Sequence, residues 1–334
     1  MKSFCRRLRP CDVLVAMVAS CCLSVIGQQA LAGPATAKGK AVKKTVLEKE
    51  LGDELVDAMR NSSGTAYGIS IWENGKIRTV QFTPASRSHN TYSVAKLFTA
   101  TMIGMLYDQH KIDLDEKVYP ILQKHFPEKF DAKWKDVTVA DVMRHRWGIG
   151  QGGFLDIDAK GISKYPTNDF LGYVLAQPLP KVIGKDNVYT DAAYYLLSRI
   201  YSERSGEKMD VAMRRDLLIP LGFDEYAFST CPYGYPIGGT GMYISTEDMC
   251  KLGILYAQRG LWQGKRLLSE KFVDEVFKRG LSLTPRGNHG GYAKGGAFGQ
   301  ILYVNPTTRR VVAVNGFHLN LGKVMGVLLE KDVP

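Results

Sequence analysis

The run VAKLFTATMIGMLY, Val94 to Tyr107, constrains the fold most strongly because it is apolar or small everywhere except at Lys96. A helix that is apolar on every side is a buried helix. Lysine is among the residues least often buried without a partner. Lys96 therefore either lies near the helix start and extends its ammonium group to water, or pairs with Ser93, one turn earlier on the same face.

The first 32 residues differ from the rest of the chain. Four basic residues, Lys2, Arg6, Arg7 and Arg9, precede the apolar run VLVAMVASCCLSVIG, which is followed by the small-residue site Ala30-Leu31-Ala32. This pattern predicts a secretory signal peptide cleaved after Ala32, and the apolar run is shorter than the ~20 residues of a membrane span. A lipoprotein cleavage site at Cys21 is the alternative, which the continuation of the apolar run past that residue disfavours.

Export bounds the partners and the redox chemistry. Removal of residues 1–32 takes a net charge of +3 from the formal +11 and leaves +8. We find no Lys/Arg stripe and no nucleic-acid motif, so we expect a secreted or periplasmic protein that binds no nucleic acid. The basic surface either associates with anionic cell-envelope polymers or only keeps the protein soluble. Cys231 and Cys250 remain after cleavage, and they either form a disulfide or stay free.

Strand patterns lie at both ends of the chain and helical patterns lie between them. After a basic tether over residues 33–44, an amphipathic helix is predicted from Leu47, Leu51, Leu55 and Met59. AYGISIW and KIRTVQF flank a turn at Asn74-Gly75, which predicts a hairpin. FGQILYVNP, RRVVAVNGF and KVMGVLLE predict three further strands.

We therefore expect an α/β (α+β) fold in which N- and C-terminal strands form one antiparallel sheet flanked by helices. The predicted sheet domain comprises residues 45–92 and 240–334, and a mostly helical domain, residues 93–239, is inserted into it.

Several reaction classes lack their motifs. The chain has no G-x-S-x-G elbow, no H-E-x-x-H and no paired C-x-x-C, and its six histidines are scattered. The glycine-rich segment GNHGGYAKGGAFG opens no helix and does not resemble a phosphate loop. We expect neither a metal nor an organic cofactor.

The remaining candidate is Ser93-x-x-Lys96. A serine hydroxyl is a weak nucleophile until a base takes its proton, and burial lowers the pKa of a lysine because it disfavours the charged form. A helix start adds free backbone N–H groups suited to an oxyanion. A second copy, Ser205-x-x-Lys208, lies where a helix ends and is expected at the surface.

Five segments carry a resemblance to a known family: YSVAKLFTATMIGMLYDQHKIDLDEKV, VTVADVMRHRWGI, YTDAAYYLLSRIYSERSG, GGTGMYISTEDMCKLGILYAQRGLWQGKRLLS and KGGAFGQILYVNP. In order and spacing they resemble the serine beta-lactamase and penicillin-binding-protein superfamily, and within it the class C-like beta-lactamases, esterases and D-amino-acid peptidases. The resemblance covers about residues 45–330.

The resemblance implies a role for each matching residue. Ser93 would be the nucleophile, Lys96 its partner and Tyr189 the shared general base and acid. The backbone N–H groups of Ser93 and Ala297 would form the oxyanion hole. The residues that would line the substrate are Asp191, Lys294, Gly295 and Gly296.

Two positions depart from the family pattern. Asp191 stands where the motif usually has Asn, and it is expected mainly as the N-cap of a helix beginning at Ala192. If it faces Lys96 instead, its charge would favour the ammonium and leave the base role to Tyr189. Gly295 replaces a Thr whose hydroxyl helps the family bind a substrate carboxylate.

The resemblance thus implies an exported serine hydrolase that forms an acyl-enzyme on Ser93 and acts on a small ester or amide, with D-amino-acid or peptidoglycan-derived peptides included. One alternative is a beta-lactamase or D-alanyl-D-alanine carboxypeptidase. A second is a non-catalytic homologue that binds or senses an envelope ligand.

Overall fold

An antiparallel sheet of six strands forms the centre of the computed structural model, which describes residues 50–83, 87–150 and 167–334. The predicted signal peptide and basic tether lie outside these described residues, as does Leu47 of the predicted first helix. The strands are β1 Thr65–Glu73, β2 Lys76–Gln81, β3 His89–Asn90, β4 Tyr226–Phe228, β5 Met242–Ile244, β6 Leu261–Trp262, β7 Lys265–Arg266, β8 Thr284–Arg286, β9 Gly291–Gly295, β10 Ile301–Asn305 and β11 Arg310–Phe317.

Helices supply the rest of the regular structure in this part of the chain. The α-helices are α1 Leu51–Arg60, α2 Ala95–Asp108, α3 Val118–Leu122, α4 Val139–Met143, α5 Phe170–Leu175, α6 Asp191–Ser205, α7 Met209–Met213, α8 Thr246–Ala257, α9 Glu270–Arg279 and α10 Gly322–Lys331. Shorter turns of 3-10 helix are Tyr92–Val94, Gln123–His125 and Ala132–Asp136, and Arg214–Leu218 is a π-helical turn. Within the described residues, no helix has the length and apolar character that crossing a membrane requires.

The strand order β2-β1-β11-β10-β9-β8 brings the two ends of the chain together. β1 pairs with β11 antiparallel, with Ile69 opposite Val314, although about 245 residues separate them in sequence. The predicted α+β fold, with one antiparallel sheet built from both ends of the chain, is confirmed. The division into a sheet domain and an inserted helical domain stays a prediction.

The hairpin of β1 and β2 follows from its turn residues. Asn74 and Gly75 have φ angles of 51° and 75°, and Glu73 pairs with Lys76 on either side of them. Positive φ at both central residues defines the tight turn that matches the twist of the flanking strands. Asn and Gly are the residues that adopt it at least cost, so the hairpin prediction is confirmed.

Each face of the sheet packs against a different helical layer, because side chains alternate between the faces of a strand. Ile69 and Ile71 of β1 pack with Leu55 of α1 and with Leu328 of α10. Trp72 of β1 points to the other face and joins the larger core formed by the helices that follow β3.

The segment KVMGVLLE is helix α10, so its prediction as a strand was wrong. Val324 and Leu328 are both fully buried and lie one helical turn apart, and α10 packs along α1. A short apolar run does not distinguish a strand from a buried helix by its pattern alone. The neighbouring helix decides the outcome here.

Helix α2 is the buried helix that the apolar run predicted, since every residue from Ala95 to Leu106 is buried. Helix α6 ends at Gly206, whose φ of 80° gives the left-handed cap expected there. Ser245 caps α8 by accepting a hydrogen bond from the Asp248 N–H. Cys231 and Cys250 are both buried free thiols, which resolves the alternative left open for them.

Candidate active site

A strained turn leads into helix α2 and carries Ser93. Tyr92 has a φ of 46°, which is rare for a bulky side chain and costs about 1–3 kcal/mol. Hydrogen bonds hold the turn, since the Tyr92 N–H donates to Asn90 Oδ1 at 2.8 Å and the Thr91 N–H donates to the Met242 carbonyl at 2.8 Å. The result places Ser93, which is largely buried, in the helical turn immediately before α2.

Lys96 is completely buried and reaches no water. Its Nζ donates to Ser93 Oγ at 3.1 Å, to Asp191 Oδ1 at 2.6 Å and to the Gly239 carbonyl at 2.7 Å. An ammonium group has three donors, and these acceptors use all of them. Of the two explanations for a lysine in this helix, the structure therefore shows the pairing with Ser93.

Asp191 is the counter-ion of Lys96, which corrects two expectations. The N-cap of α6 is Thr190, whose hydroxyl accepts from the Ala192 N–H, so the prediction that Asp191 caps the helix was wrong. Burial by itself lowers the pKa of Lys96, but the Asp191 carboxylate and then Tyr189 outweigh it, and the pKa is raised. The expected lowering of this pKa was therefore also wrong, and Lys96 is a cation at neutral pH.

The resemblance implies that Asp191 lines the substrate. In the structure this residue is only 4% exposed and forms an ion pair with Lys96. Asp191 is therefore connected to Ser93 through Lys96.

Tyr189 lies close to two ammonium groups. The Nζ atoms of Lys96 and Lys294 lie 4.8 Å and 5.0 Å from the centre of its ring, and Lys294 Nζ donates to the phenol oxygen at 3.2 Å. Burial opposes ionisation of this phenol, but the two lysine charges, together with interactions with the Ser93 hydroxyl, lower its pKa. About half of the Tyr189 surface is exposed, so this residue is accessible from solvent.

Lys294 projects from the end of strand β9. Its pKa is lowered, first because of burial and then because of the Lys96 charge, while Tyr189 acts in the opposite direction. Strand β8 begins at Thr284, opposite Ala293, so from Lys294 onward this edge of β9 has no strand partner among the described residues. Gly295 lies on this edge and is exposed.

Gly296 allows the end of β9 to approach the turn that carries Ser93. A Cβ atom at this position would lie 2.9 Å from the backbone oxygen of Thr91, closer than such atoms come in proteins. The next residues, Ala297 and Phe298, form a turn, and the Phe298 ring contacts the Tyr92 ring at 4.8 Å. Ala297 therefore lies in a segment packed against the Ser93 turn, and the oxyanion role of the Ser93 and Ala297 N–H groups stays a prediction.

Two contacts of this site were missed in the sequence. The Gly239 carbonyl accepts from Lys96 as described above, and a Cβ at Gly239 would lie 3.0 Å from the Asp191 backbone oxygen. His145 is one of the six scattered histidines of the sequence, yet its ring packs at a tilt against the Tyr189 ring, with 4.3 Å between the ring centres. Both residues fall within segments that carry the resemblance, which was the available signal.

The second Ser-x-x-Lys copy forms no such arrangement. Ser205 Oγ donates to the Glu207 carbonyl at 3.0 Å, and Lys208 Nζ donates to the Tyr233 carbonyl at 3.3 Å. Among the described residues, no group of three or more His, Cys, Asp or Glu side chains is placed to hold a metal ion.

The model of the family named Beta-lactamase matches residues 54–323. The chain belongs to the Beta-lactamase family. The members of this family are serine hydrolases, and the chain is accordingly a serine hydrolase.

Solved structures share the fold at low sequence identity. SurE, in a crystal structure with D-Leu, is 20% identical with a TM-score of 0.65 over 85% of this chain and 75% of its own. EstCE1, described as a hydrolase with promiscuous acyltransferase activity, is 16% identical with a TM-score of 0.64 over 84% of this chain and 98% of its own. An octameric penicillin-binding protein homologue from Pyrococcus abyssi is 18% identical with a TM-score of 0.65 over 85% and 78%. These likenesses show a common fold.

Proposed function

We propose that the chain is an exported serine hydrolase that forms an acyl-enzyme on Ser93 and hydrolyses a small ester or amide. The observation that carries the proposal is the buried Lys96, whose ammonium group bonds Ser93 Oγ while Asp191 holds its charge. Burying a cation beside a serine hydroxyl costs folding free energy. Such buried charges, together with a phenol of lowered pKa, are typical of functional sites.

In the acylation step, Ser93 Oγ attacks the carbonyl carbon of the substrate as its proton passes to the phenolate of Tyr189. Tyr189 suits this role because the charges of Lys96 and Lys294 lower its pKa towards the pH at which a base is useful. Lys96 stays an ammonium throughout and stabilises the negative charge on the serine oxygen. The N–H groups of Ser93 and Ala297 would donate to the substrate oxyanion.

Acylation is completed when Tyr189 passes the proton to the leaving group, and deacylation by water follows. The protonated Tyr189 gives this proton to the leaving alcohol or amine as the carbonyl–leaving-group bond breaks, which leaves an ester on Ser93. A water molecule then loses a proton to Tyr189 and attacks this ester, and Ser93 Oγ recovers the proton when the acid product departs.

The open edge of β9 suggests how a substrate is held. An extended peptide-like backbone can hydrogen-bond to a strand edge that has no partner. The Lys294 ammonium attracts an anionic group, while Gly295 offers no hydroxyl to fix a carboxylate tightly. D-amino-acid and peptidoglycan-derived peptides therefore join simple esters as candidates. Two proteins that share the fold are SurE, crystallised with D-Leu, and EstCE1, a hydrolase with promiscuous acyltransferase activity.

A beta-lactamase or D-alanyl-D-alanine carboxypeptidase would use the same groups. The absence of a hydroxyl at Gly295 favours the ester or amide hydrolase, because both alternatives must bind a substrate carboxylate. A non-catalytic binding or sensor homologue would have no need of the bonded Ser93 and Lys96 beside Tyr189.

Intact-mass analysis tests the proposal directly. Wild-type protein is incubated with a fluorophosphonate, p-nitrophenyl butyrate, nitrocefin and a D-Ala-D-Ala peptide, and Ser93→Ala and Ser205→Ala are treated alike. We expect one adduct on the wild type and on Ser205→Ala, none on Ser93→Ala, and fastest turnover of the ester. Efficient cephalosporin turnover would instead support a beta-lactamase, and a wild type that no reagent labels would support the sensor.

Export has its own test. The full-length chain is expressed in a Gram-negative host, the cells are fractionated, and the N-terminus of the product is sequenced. We expect a periplasmic product that begins at Gly33. A product in the cytoplasm that retains Met1 would contradict export.

A further inference from the structure

His145 contacts both residues that flank Tyr189. Its backbone carbonyl accepts from the Val188 N–H at 2.9 Å, and its Nδ1 accepts from the Thr190 N–H at a longer 3.4 Å. Its ring also packs against the Tyr189 ring in a tilted arrangement, with 4.3 Å between the ring centres and 35° between the ring planes. Three contacts from one residue thus fix the short segment that carries the phenol.

The turn that holds His145 is itself fixed. His145 has a φ of 56°, a left-handed conformation that His and Asn adopt more readily than most residues. Tyr194 of α6 donates from its hydroxyl to the Met143 carbonyl at 2.9 Å, and its ring lies 5.4 Å from the imidazole. The position of His145 relative to α6 is therefore set by packing on both sides.

One hydrogen bond sets the tautomer of the His145 imidazole. Because Nδ1 accepts a hydrogen bond, the proton of the neutral ring is on Nε2, which is buried and has no hydrogen-bond partner among the described residues. Burial first, and then the charges of Lys96 and Lys294, hold the pKa of His145 well below its ordinary value. The imidazole is neutral at pH 7.

The groups that face the imidazole come from four elements. Lys96 from α2 and Lys294 from β9 are cations, Tyr189 precedes α6, and Tyr194 lies within α6; the Asp191 carboxylate is engaged by Lys96. No carboxylate among the described residues bonds to this ring.

We propose that neutral His145 is a positioning residue that holds Tyr189 against Ser93 and Lys96, and that its protonation releases Tyr189 from that position. The proposal rests on the proposed hydrolase mechanism, in which Tyr189 is the base. Protonation puts a hydrogen on Nδ1, so the ring can no longer accept from Thr190, and it places a third cation beside Lys96 and Lys294. Since an extra cation by itself favours the phenolate, the loss of activity is a loss of placement.

Two substitutions test the hydrogen-bond acceptor and the aromatic ring of His145 separately. His145→Asn keeps a side-chain oxygen close to the position of Nδ1, tolerates the left-handed backbone and does not titrate. His145→Phe keeps an aromatic ring against Tyr189 and removes the acceptor. His110→Asn is the matched control, because His110 is exposed and also has a positive φ, of 55°.

We expect His145→Phe to lower kcat about 100-fold with little change in KM, since misplacing a catalytic group by about 1 Å costs this much. His145→Asn should lose less, and His110→Asn should match the wild type. In the wild type the slope of log kcat against pH should steepen from one to two as pH falls through the His145 pKa, and in His145→Asn it should stay at one. Equal kcat in all variants, or an equal steepening in His145→Asn, would overturn the proposal.

A measurement on the unmutated chain guards against a variant that does not fold. The His145 Cε1 signal, assigned by its absence from His145→Asn, is followed by NMR over the pH range of the kinetics. Its midpoint should coincide with the steepening of kcat, and a separation of more than one pH unit would overturn the proposal. Fluorophosphonate labelling of Ser93 in the same samples reports on the hydrolase itself, so a wild type that does not react would fail the proposed function and not this inference.

Discussion

Lys96 and Lys294 carry the same charge and lie 4.8 Å and 5.0 Å from the centre of the Tyr189 ring, yet their pKa values shift in opposite directions. Both are desolvated, which favours the neutral amine. Lys96 has the Asp191 carboxylate at 2.6 Å and its pKa is raised, whereas Asp191 acts only weakly on Lys294, which bonds the Tyr189 phenol and has a lowered pKa. A single carboxylate therefore decides which lysine stays a permanent cation.

The difference assigns separate tasks to the two regions. The α2 side of the site holds a fixed positive charge beside Ser93, and in the proposed mechanism this charge stabilises the serine oxygen. The β9 side holds a more weakly protonated amine at an open strand edge, where it lowers the pKa of Tyr189 and, in the proposal, attracts the substrate. Tyr189 is the group on which both act.

Of the substitutions that test this difference between the two lysines, replacement of Lys96 should have the largest effect on activity and stability. In Lys96→Met the nucleophile loses its cation and Asp191 loses its counter-ion. We expect kcat/KM to fall by about 10³–10⁴-fold and the free energy of unfolding to fall by about 3–5 kcal/mol. Ester hydrolysis and urea unfolding measure the two effects.

Lys208→Met is the control for this variant, because Lys208 belongs to the exposed second Ser-x-x-Lys copy. It should change the unfolding free energy by no more than about 0.5 kcal/mol. A Lys96→Met protein that retains turnover within tenfold of the wild type would show that the Lys96 cation is not needed for the reaction.

Replacing Lys294 should have an intermediate effect and act through Tyr189. Lys294→Met removes one of the two charges that lower the phenol pKa, so that pKa rises and less phenolate is present at neutral pH. We expect the acid limb of the kcat/KM profile to move to higher pH and kcat/KM at pH 7 to fall about 10- to 100-fold, tenfold for each pKa unit. Lys265→Met, at an exposed position, should leave the profile in place, and an unmoved acid limb in Lys294→Met would refute the electrostatic role.

The smallest expected effect is on the pH dependence of stability, and it comes from His145. His145 is neutral in the folded protein but protonated in the unfolded chain below about pH 6.5, so the unfolded state binds more protons and stability falls as pH falls. Between pH 7.5 and 5.5 the wild type should lose about 1.4 kcal/mol more than His145→Asn. Urea unfolding of both proteins at the two pH values measures this difference.

His110→Asn serves as the reference here too, and it should follow the wild type. If His145→Asn loses as much stability as the wild type over this range, His145 is not held neutral, and the pKa direction given above is wrong.

Local patterns in the sequence determined several elements correctly. The apolar run predicted the buried helix α2, Asn74-Gly75 predicted the hairpin, and Ser245 and Gly206 predicted a helix start and a helix end. These predictions depend on periodicity and on backbone preferences within a few residues, which a sequence carries directly. Ser93 and Lys96 belong to this group, because one helical turn places them on the same face.

Only the tertiary structure decided the properties that depend on distant residues. Asp191 lies 95 positions from Lys96, and its contact reversed the expected direction of the lysine pKa. The contact of α10 with α1 made KVMGVLLE a helix, and the fold brought His145 against Tyr189. The physical reason is common to all three: charge, burial and packing act through space, whereas the sequence pattern reports only the neighbours along the chain.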